Sequence, residues 1–168
     1  MDITTPQEEI GADDSDESIA TWFKVPYQSI AICRRNNQRN RALHKHDFIE
    51  LIIILNGQGT HIIEGGRHSI KAGDTFVVPP RIQHAYADTD NLSLFNILIR
   101  NQHLQTLERE CISMPGFFAL FKLEPRMRAM HQFKSQLRQS PQDLGELSSL
   151  IDSLEVEATQ TTRLACSR

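Results

Sequence analysis

Between Trp22 and Arg100 the chain is interrupted at short intervals by glycine, asparagine, aspartate or proline, and the runs between are rich in Ile, Val, Phe and Leu. Such punctuation leaves no room for an ordinary helix, whereas short strands joined by tight turns require it. It predicts strands near 28–34, 48–56, 59–64, 67–71, 74–78, 82–88 and 92–99. Asn56-Gly57 with Gly59, and then Gly65-Gly66, supply the positive φ of tight hairpins. Seven strands so connected predict a mainly β fold, closed as a sandwich or barrel. The run Ile52-Ile53-Ile54-Leu55 is apolar on both faces, which places its strand at the centre of the sheet.

After Arg100 the texture becomes helical, with Leu, Met and Phe at spacings of three and four over 101–113, 116–122 and 125–139. Ser140-Pro141 reads as an N-cap and first helical position. Beyond it Leu144, Leu147, Ile151, Leu154 and Ala158 repeat at coiled-coil spacing, and Leu150 widens the stripe. That helix either packs on its own domain or forms a dimer seam. Nothing after Arg168 stops it, so the expectation is a chain cut from a longer parent.

The chain has 168 residues, 39% of them hydrophobic, enough for the core of one domain. Its net charge of −3 lacks the basic footprint of a nucleic-acid surface. No run approaches the roughly 18 apolar residues of a membrane helix. The N-terminus has no secretory pattern and three widely spaced cysteines suit reduced thiols, so the expected location is the cytoplasm. Residues 1–20 hold seven acidic side chains and no Lys or Arg, the composition of a mobile arm. The expected organisation is an acidic arm over 1–20, a β domain over 21–100 and a helical dimerisation segment over 101–168.

Chemistry concentrates in His44-Lys45-His46-Asp47-Phe48-Ile49-Glu50. On a strand, His44, His46 and Glu50 project to one face. A second segment runs from Gly73 to Pro79, His84 and Asp88. If its strand lies beside the first, His84 completes a set of three histidines and a glutamate. Such a set can bind Zn, Ni, Fe or Mn, contact a ligand directly, or satisfy itself in the core. Tyr86 shares strand parity with His84. One of Arg34 and Arg35 must point inward, and Arg34 is taken as the candidate, a guanidinium able to grip vicinal hydroxyls or a carboxylate. Phe48, Ile52 and Ile54 share the parity of Glu50 and make that wall apolar. His61 reads as a half-exposed strand residue outside the site, and Trp22 as a core anchor.

H-x-H-x3-E-x6-G followed by G-x5-P-x4-H resembles the two-part signature of the cupin superfamily over about residues 31–100, with Arg81 where a Gly is usual and Asp88 where an Asn is usual. The resemblance implies a double-stranded β-helix, a jelly-roll barrel with the site inside. More narrowly, H-K-H-D-F-I-E-L-I-I-I-L-N-G-Q-G-T-H, G-D-T-F-V-V-P-P-R-I-Q-H-A-Y and T-D-N-L-S-L-F-N-I-L-I-R resemble the N-terminal sensor domains of AraC-type transcription regulators, most of all those of L-rhamnose operons. This implies a non-enzymatic domain that binds a small effector, a sugar such as L-rhamnose, at His44, His46, Glu50, His84, Arg34 and Tyr86. It further implies a homodimer and contact with DNA only through a C-terminal domain beyond this chain. The alternative from another class is a metal-dependent cupin enzyme, a dioxygenase or isomerase. Arg81 and Asp88 alter the loop of the metalloenzyme pattern, and the helical tail favours the sensor.

Overall fold

The structure, a computed structural model, describes residues 22–23, 28–64, 66–130 and 137–166, with 128–129 and 158–166 described by backbone alone. The acidic segment 1–20, Gly65, the middle of the predicted 125–139 helix and the side chain of Ala158 lie outside the described residues.

Among the described residues seven strands form the domain: β1 (Ile30–Arg35), β2 (Arg41–His44), β3 (Ile49–Ile63), β4 (Gly66–Lys71), β5 (Asp74–Val78), β6 (His84–Ile99) and β7 (Leu137–Arg138). All pairings are antiparallel, in the order β1-β6-β3-β5-β7, with β2 on β6 and β4 on β3. The fold is thus mainly β with helices following, as expected.

Two expected turns are not turns. The Asn56-Gly57-x-Gly59 hairpin and the break before Leu92 both lie inside strands, because β3 and β6 run unbroken beside each other for their whole lengths. The ladder slips between Ile54 and Asn56, Asn56 and Gln58, and Gln58 and Thr60. Gly57 sits there at φ +74°, and a Cβ on it would lie 2.3 Å from the Asn91 carbonyl oxygen. The residues that favour tight hairpins here make bulges that bend two long strands. Each strand thereby serves two half-sheets, β1-β6-β3-β5-β7 at one end and β2-β6-β3-β4 at the other.

The half-sheets face each other across the main core. Ile52, Ile54, Phe76, Val78 and Leu94 from one meet Ile63, Ile70 and Tyr86 from the other. The Ile52–Leu55 strand is central, as its composition requires, paired with β5 on one side and β6 on the other. Trp22 packs with Phe23, Phe48 and Leu98, an anchor as expected.

Helices cover the outer face. α1 (Asn101–Cys111) and the stretch formed by α2 (Pro115–Phe118), a π turn (Ala119–Leu123) and α3 (Glu124–Ala129) place Leu104, Leu107, Leu120 and Phe121 on Ile49, Val77 and Ile99. The predicted helix does not reach 139. Leu137 and Arg138 pair with Thr75 and Asp74 as strand β7, and Arg138 Nε donates to the buried Asp74 carboxylate at 2.6 Å. A buried carboxylate needs such a partner, and this one overrides the local helical pattern.

α4 (Pro141–Cys166) starts where Ser140-Pro141 predicts. Ser140 Oγ accepts from the Asp143 amide at 3.1 Å and the Asp143 carboxylate accepts from the Ser140 amide at 3.3 Å, a reciprocal cap. The expected apolar stripe divides. Leu144, Leu147 and Ile151 pack on Ile32, Ile53 and Phe95 of the sheet. Leu150 and Leu154 stay exposed. Ile151 is therefore core rather than seam, since it is 1% exposed where Leu150 is 62% exposed. Ile151→Ala should lower unfolding free energy in urea by about 2–5 kcal/mol. Leu150→Ala should change it by less than about 0.5 kcal/mol.

Candidate functional site

The site begins with β3. Its first half points even-numbered residues inward, so Glu50 shares the interior with Ile52 and Ile54. His46 lies in the segment between β2 and β3, its ring stacked on Phe48 at 4.3 Å between centroids and held by a 2.7 Å contact from Nδ1 to the Phe48 carbonyl. His84 opens β6 in register with His44 of β2 and Ile63 of β3. The condition for His84 to join the set is met.

His46 Nε2 lies 3.2 Å and His84 Nε2 3.4 Å from Glu50 Oε2. All three residues are buried, and their ligand-type atoms lie within 4.8 Å of one another. Donors around a tetrahedral divalent ion with bonds near 2.1 Å stand roughly 3.4 Å apart. Two imidazoles and a carboxylate at these separations fit such an ion. His44 stands beside this trio rather than in it. Its ring lies 4.1 Å from that of His84, and its Nδ1 is turned to the Ala42 carbonyl at 3.0 Å.

Burial alone would raise the pKa of Glu50, but the hydrogen bonds and charges of His46 and His84 outweigh it and hold the carboxyl well below its usual range. Asn96 Nδ2 donates to its other oxygen, Oε1, at 2.5 Å. For His44 burial dominates, aided by the charges of His84 and Arg41, and its pKa falls to about 4. The interior thus combines an ionised carboxylate with a neutral His44 near pH 7.

Tyr86 is buried on the same strand face as His84, their rings 6.5 Å apart. His61, excluded by sequence reasoning, is fully buried on the same interior, with ring centroids 5.6 Å from His84, 5.2 Å from Tyr86 and 4.8 Å from Phe76. The bulges in β3 reverse its alternation: Ile52 and Ile54 face in before them, Ile63 with His61 after them. The Asn-Gly-x-Gly cluster is the signal that could have found it, had it been read as bulges.

Arg34 does not reach this interior. Pairing opposite Phe95, it points to the outer face, where it meets Asp152 at 2.5 Å and Glu155 at 2.9 Å on α4. Its neighbour Arg35 has the opposite parity and lies over the Trp22 ring at 5.0 Å. Arg81 and Asp88 both have left-handed backbones, φ +65° and +51°. Gly and Asn favour that conformation, so the departures from the cupin pattern change side chains while the backbone keeps the conformation those residues favour. A separate cavity of about 370 Å³ lies on the outer face between Ile49, Val77, Pro79 and α1, and the ligand trio is not among its walls.

The model of the AraC-like ligand binding domain family matches residues 26–160. The HTH-type transcriptional activator RhaR of Mannheimia succiniciproducens is 31% identical over 143 residues, 85% of this chain and 47% of that protein. The activator of the same name from Cronobacter sakazakii is 28% identical over 148 residues, 87% of this chain and 48% of its own length. The chain spans about half the length of these curated relatives. Among solved structures, a cupin-2 domain containing protein from Shewanella frigidimarina is similar at TM-score 0.40 and 17% identity, over 45% of this chain and 76% of that one. The nucleoside dehydratase Pac13 is similar at TM-score 0.39 and 15% identity, over 46% of this chain and 65% of its own. Those two likenesses are too remote to bear on chemistry. The family match covers both the β domain and most of the helical segment, and the chain belongs to the AraC-like ligand-binding domains.

Proposed function

We propose that this chain is the effector-sensing half of a cytoplasmic transcription regulator. In this reading it binds a small polyol, a sugar such as L-rhamnose, inside the β domain and does not turn it over. The observation that supports this most is the convergence of His46, Glu50 and His84 in the interior of an AraC-like ligand-binding domain. His46, Glu50 and His84 would hold a divalent ion, Zn, Ni, Fe or Mn, which would supply a Lewis-acidic position for a hydroxyl oxygen. Without an ion, the Glu50 carboxylate is itself a strong acceptor for sugar hydroxyls, while Tyr86 and His61 line the same interior. DNA is reached through a domain outside these residues, as the names of relatives twice as long suggest. No helix among the described residues is long and apolar enough to cross a membrane.

Calorimetry with Zn2+ and with L-rhamnose, each alone and together, tests the site. Glu50→Gln removes the anionic donor and should weaken ion binding by at least about 100-fold. Mass spectrometry of the sugar decides the class: it should be recovered unchanged, and conversion over many turnovers would establish the metal-dependent enzyme instead.

Homodimerisation through α4 belongs to the same proposal, on only part of the stripe that the spacing suggests. Leu147 and Ile151 serve the core, and the free stripe is Leu150 with Leu154. Leu150→Glu with Leu154→Glu should give a folded monomer in sedimentation, and an unchanged dimer would place the interface elsewhere.

Acid should weaken the fold. His44 and Glu50 both have folded-state pKa values below their unfolded ones, so each stabilises at high pH and loses that contribution as pH falls. For His44 the loss runs from about pH 6.5 down to about 4, and Glu50 adds its own below about pH 4.5. Urea midpoints of the ion-free chain should decline over that range, and His44→Gln should flatten the decline between pH 6.5 and 4.5.

A further inference from the structure

We propose that the state of Glu50 is relayed to α4 through strand β6, with Asn96 as the inner contact and Phe95 as the outer one. The inference rests on the reading of His46, Glu50 and His84 as the effector site and adds how that site is coupled to the rest of the molecule.

Consecutive residues of a strand point to opposite faces, and β6 uses this at one place to touch both partners. Asn96 faces inward opposite Ile52 and Cys33, and its amide donates to Glu50 Oε1. Phe95 faces outward, fully buried, and packs with Ile53 and Ile151. The peptide link between Asn96 and Phe95 therefore joins the contact with the site carboxylate to the contact with Ile151, the most buried of the described side chains of α4. Arg34 pairs opposite Phe95, holds its guanidinium 5.8 Å from the Phe95 ring, and grips Asp152, next to Ile151, and Glu155, one turn beyond it. Partly exposed ion pairs of this kind contribute little beside a buried apolar contact, so the seat of α4 is set mainly by the packing of Phe95, Ile53 and Ile151.

Glu50 divides its two oxygens between the two directions. Oε2 faces His46 and His84, where an ion or hydroxyl would be taken, and Oε1 faces Asn96. A group drawing on Oε2 changes both the position of the carboxylate and the strength with which Oε1 holds Asn96. Packed interiors do not deform continuously, so a small shift of this segment of β6 is passed to the Phe95–Ile151 contact rather than absorbed. Coupling is reciprocal: whatever fixes α4 alters the affinity of the site to the same degree.

Hydrogen exchange of the whole chain, read on α4 amides 144–157 and on β4 amides 66–71 as an internal reference, tests the relay. Among the described residues β4 pairs with β3 alone and belongs to neither contact. Without any ion, Asn96→Ala should change α4 exchange by about 2- to 30-fold and leave β4 unchanged. Glu50→Gln, which keeps the side-chain shape, should change α4 exchange without ion too and serves if the first variant folds poorly. Added Zn2+ should shift α4 exchange in the wild-type chain and not in Asn96→Ala. The relay is overturned if both variants exchange like wild type in α4, if β4 changes equally, or if Zn2+ shifts α4 alike with and without Asn96. Absence of Zn2+ binding by calorimetry would count against the ion site alone, and the ion-free comparison would still decide the relay.

Discussion

The pairing of β3 with β6 is the constraint from which the rest follows. Strands of 15 and 16 residues are about three times the usual length, and a flat ladder of that length would leave one apolar face in water. The slips between Ile54 and Thr60, with Gly57 and Asn91 in left-handed conformations, bend the pair so that its two ends face each other. Each end recruits its own flanking strands, and the enclosed space becomes the core. His84 at one end is thus brought against Glu50 at the other, with His46 on the same carboxylate oxygen and His44 beside His84.

That geometry makes burial of a charge tolerable. An isolated carboxylate in an apolar interior would be neutralised by protonation. Glu50 instead receives Asn96 on one oxygen and two imidazoles on the other. Ile52, Ile54 and Phe48 around it exclude water and strengthen each of those contacts. The same arrangement that permits the charge prepares it for a ligand, because the imidazole nitrogens can exchange the carboxylate for an ion between them. Asp74 solves a similar problem by a purely structural route, through Arg138 and the Lys71 amide. Of these two carboxylates, the one facing histidines is suited to function and the one facing an arginine is suited to the fold, as is the buried Glu124, which accepts from the Val77 amide.

Part of the site was legible because it depends on parity within an unbroken strand, as Tyr86 follows His84 on β6. His46 and Glu50 do not share a strand: the chain bends at 47–48 between β2 and β3, and His46 meets Glu50 across that bend rather than by alternation. Where the ladder slips, parity fails: His61 is an interior residue that alternation counted from Ile52 assigns to the outside. Asn-Gly favours a positive φ but does not say whether the chain reverses there or only bends, and pairing with a distant strand decides between them. Arg34 against Arg35 could not be decided from adjacent charges alone, because the outer position is chosen by Asp152 and Glu155, more than a hundred residues away. The helix predicted through 139 failed for the same kind of reason, its end being claimed by Asp74.

α4 shows why one apolar stripe can serve two purposes. Coiled-coil spacing repeats every three and four residues, whereas an α-helix turns once per 3.6, so a stripe that includes Leu144, Leu147, Leu150, Ile151 and Leu154 is wide enough to present two edges. The edge carrying Ile151 is consumed by Phe95 and Ile53 of the sheet, and the edge carrying Leu150 and Leu154 remains open. A helix buried on both edges would be fixed, and one buried on neither would be independent of the β domain. Held along one edge by residues adjacent to the lining of the site, α4 is the element whose position can depend on what occupies the interior while its other edge is free to engage a partner.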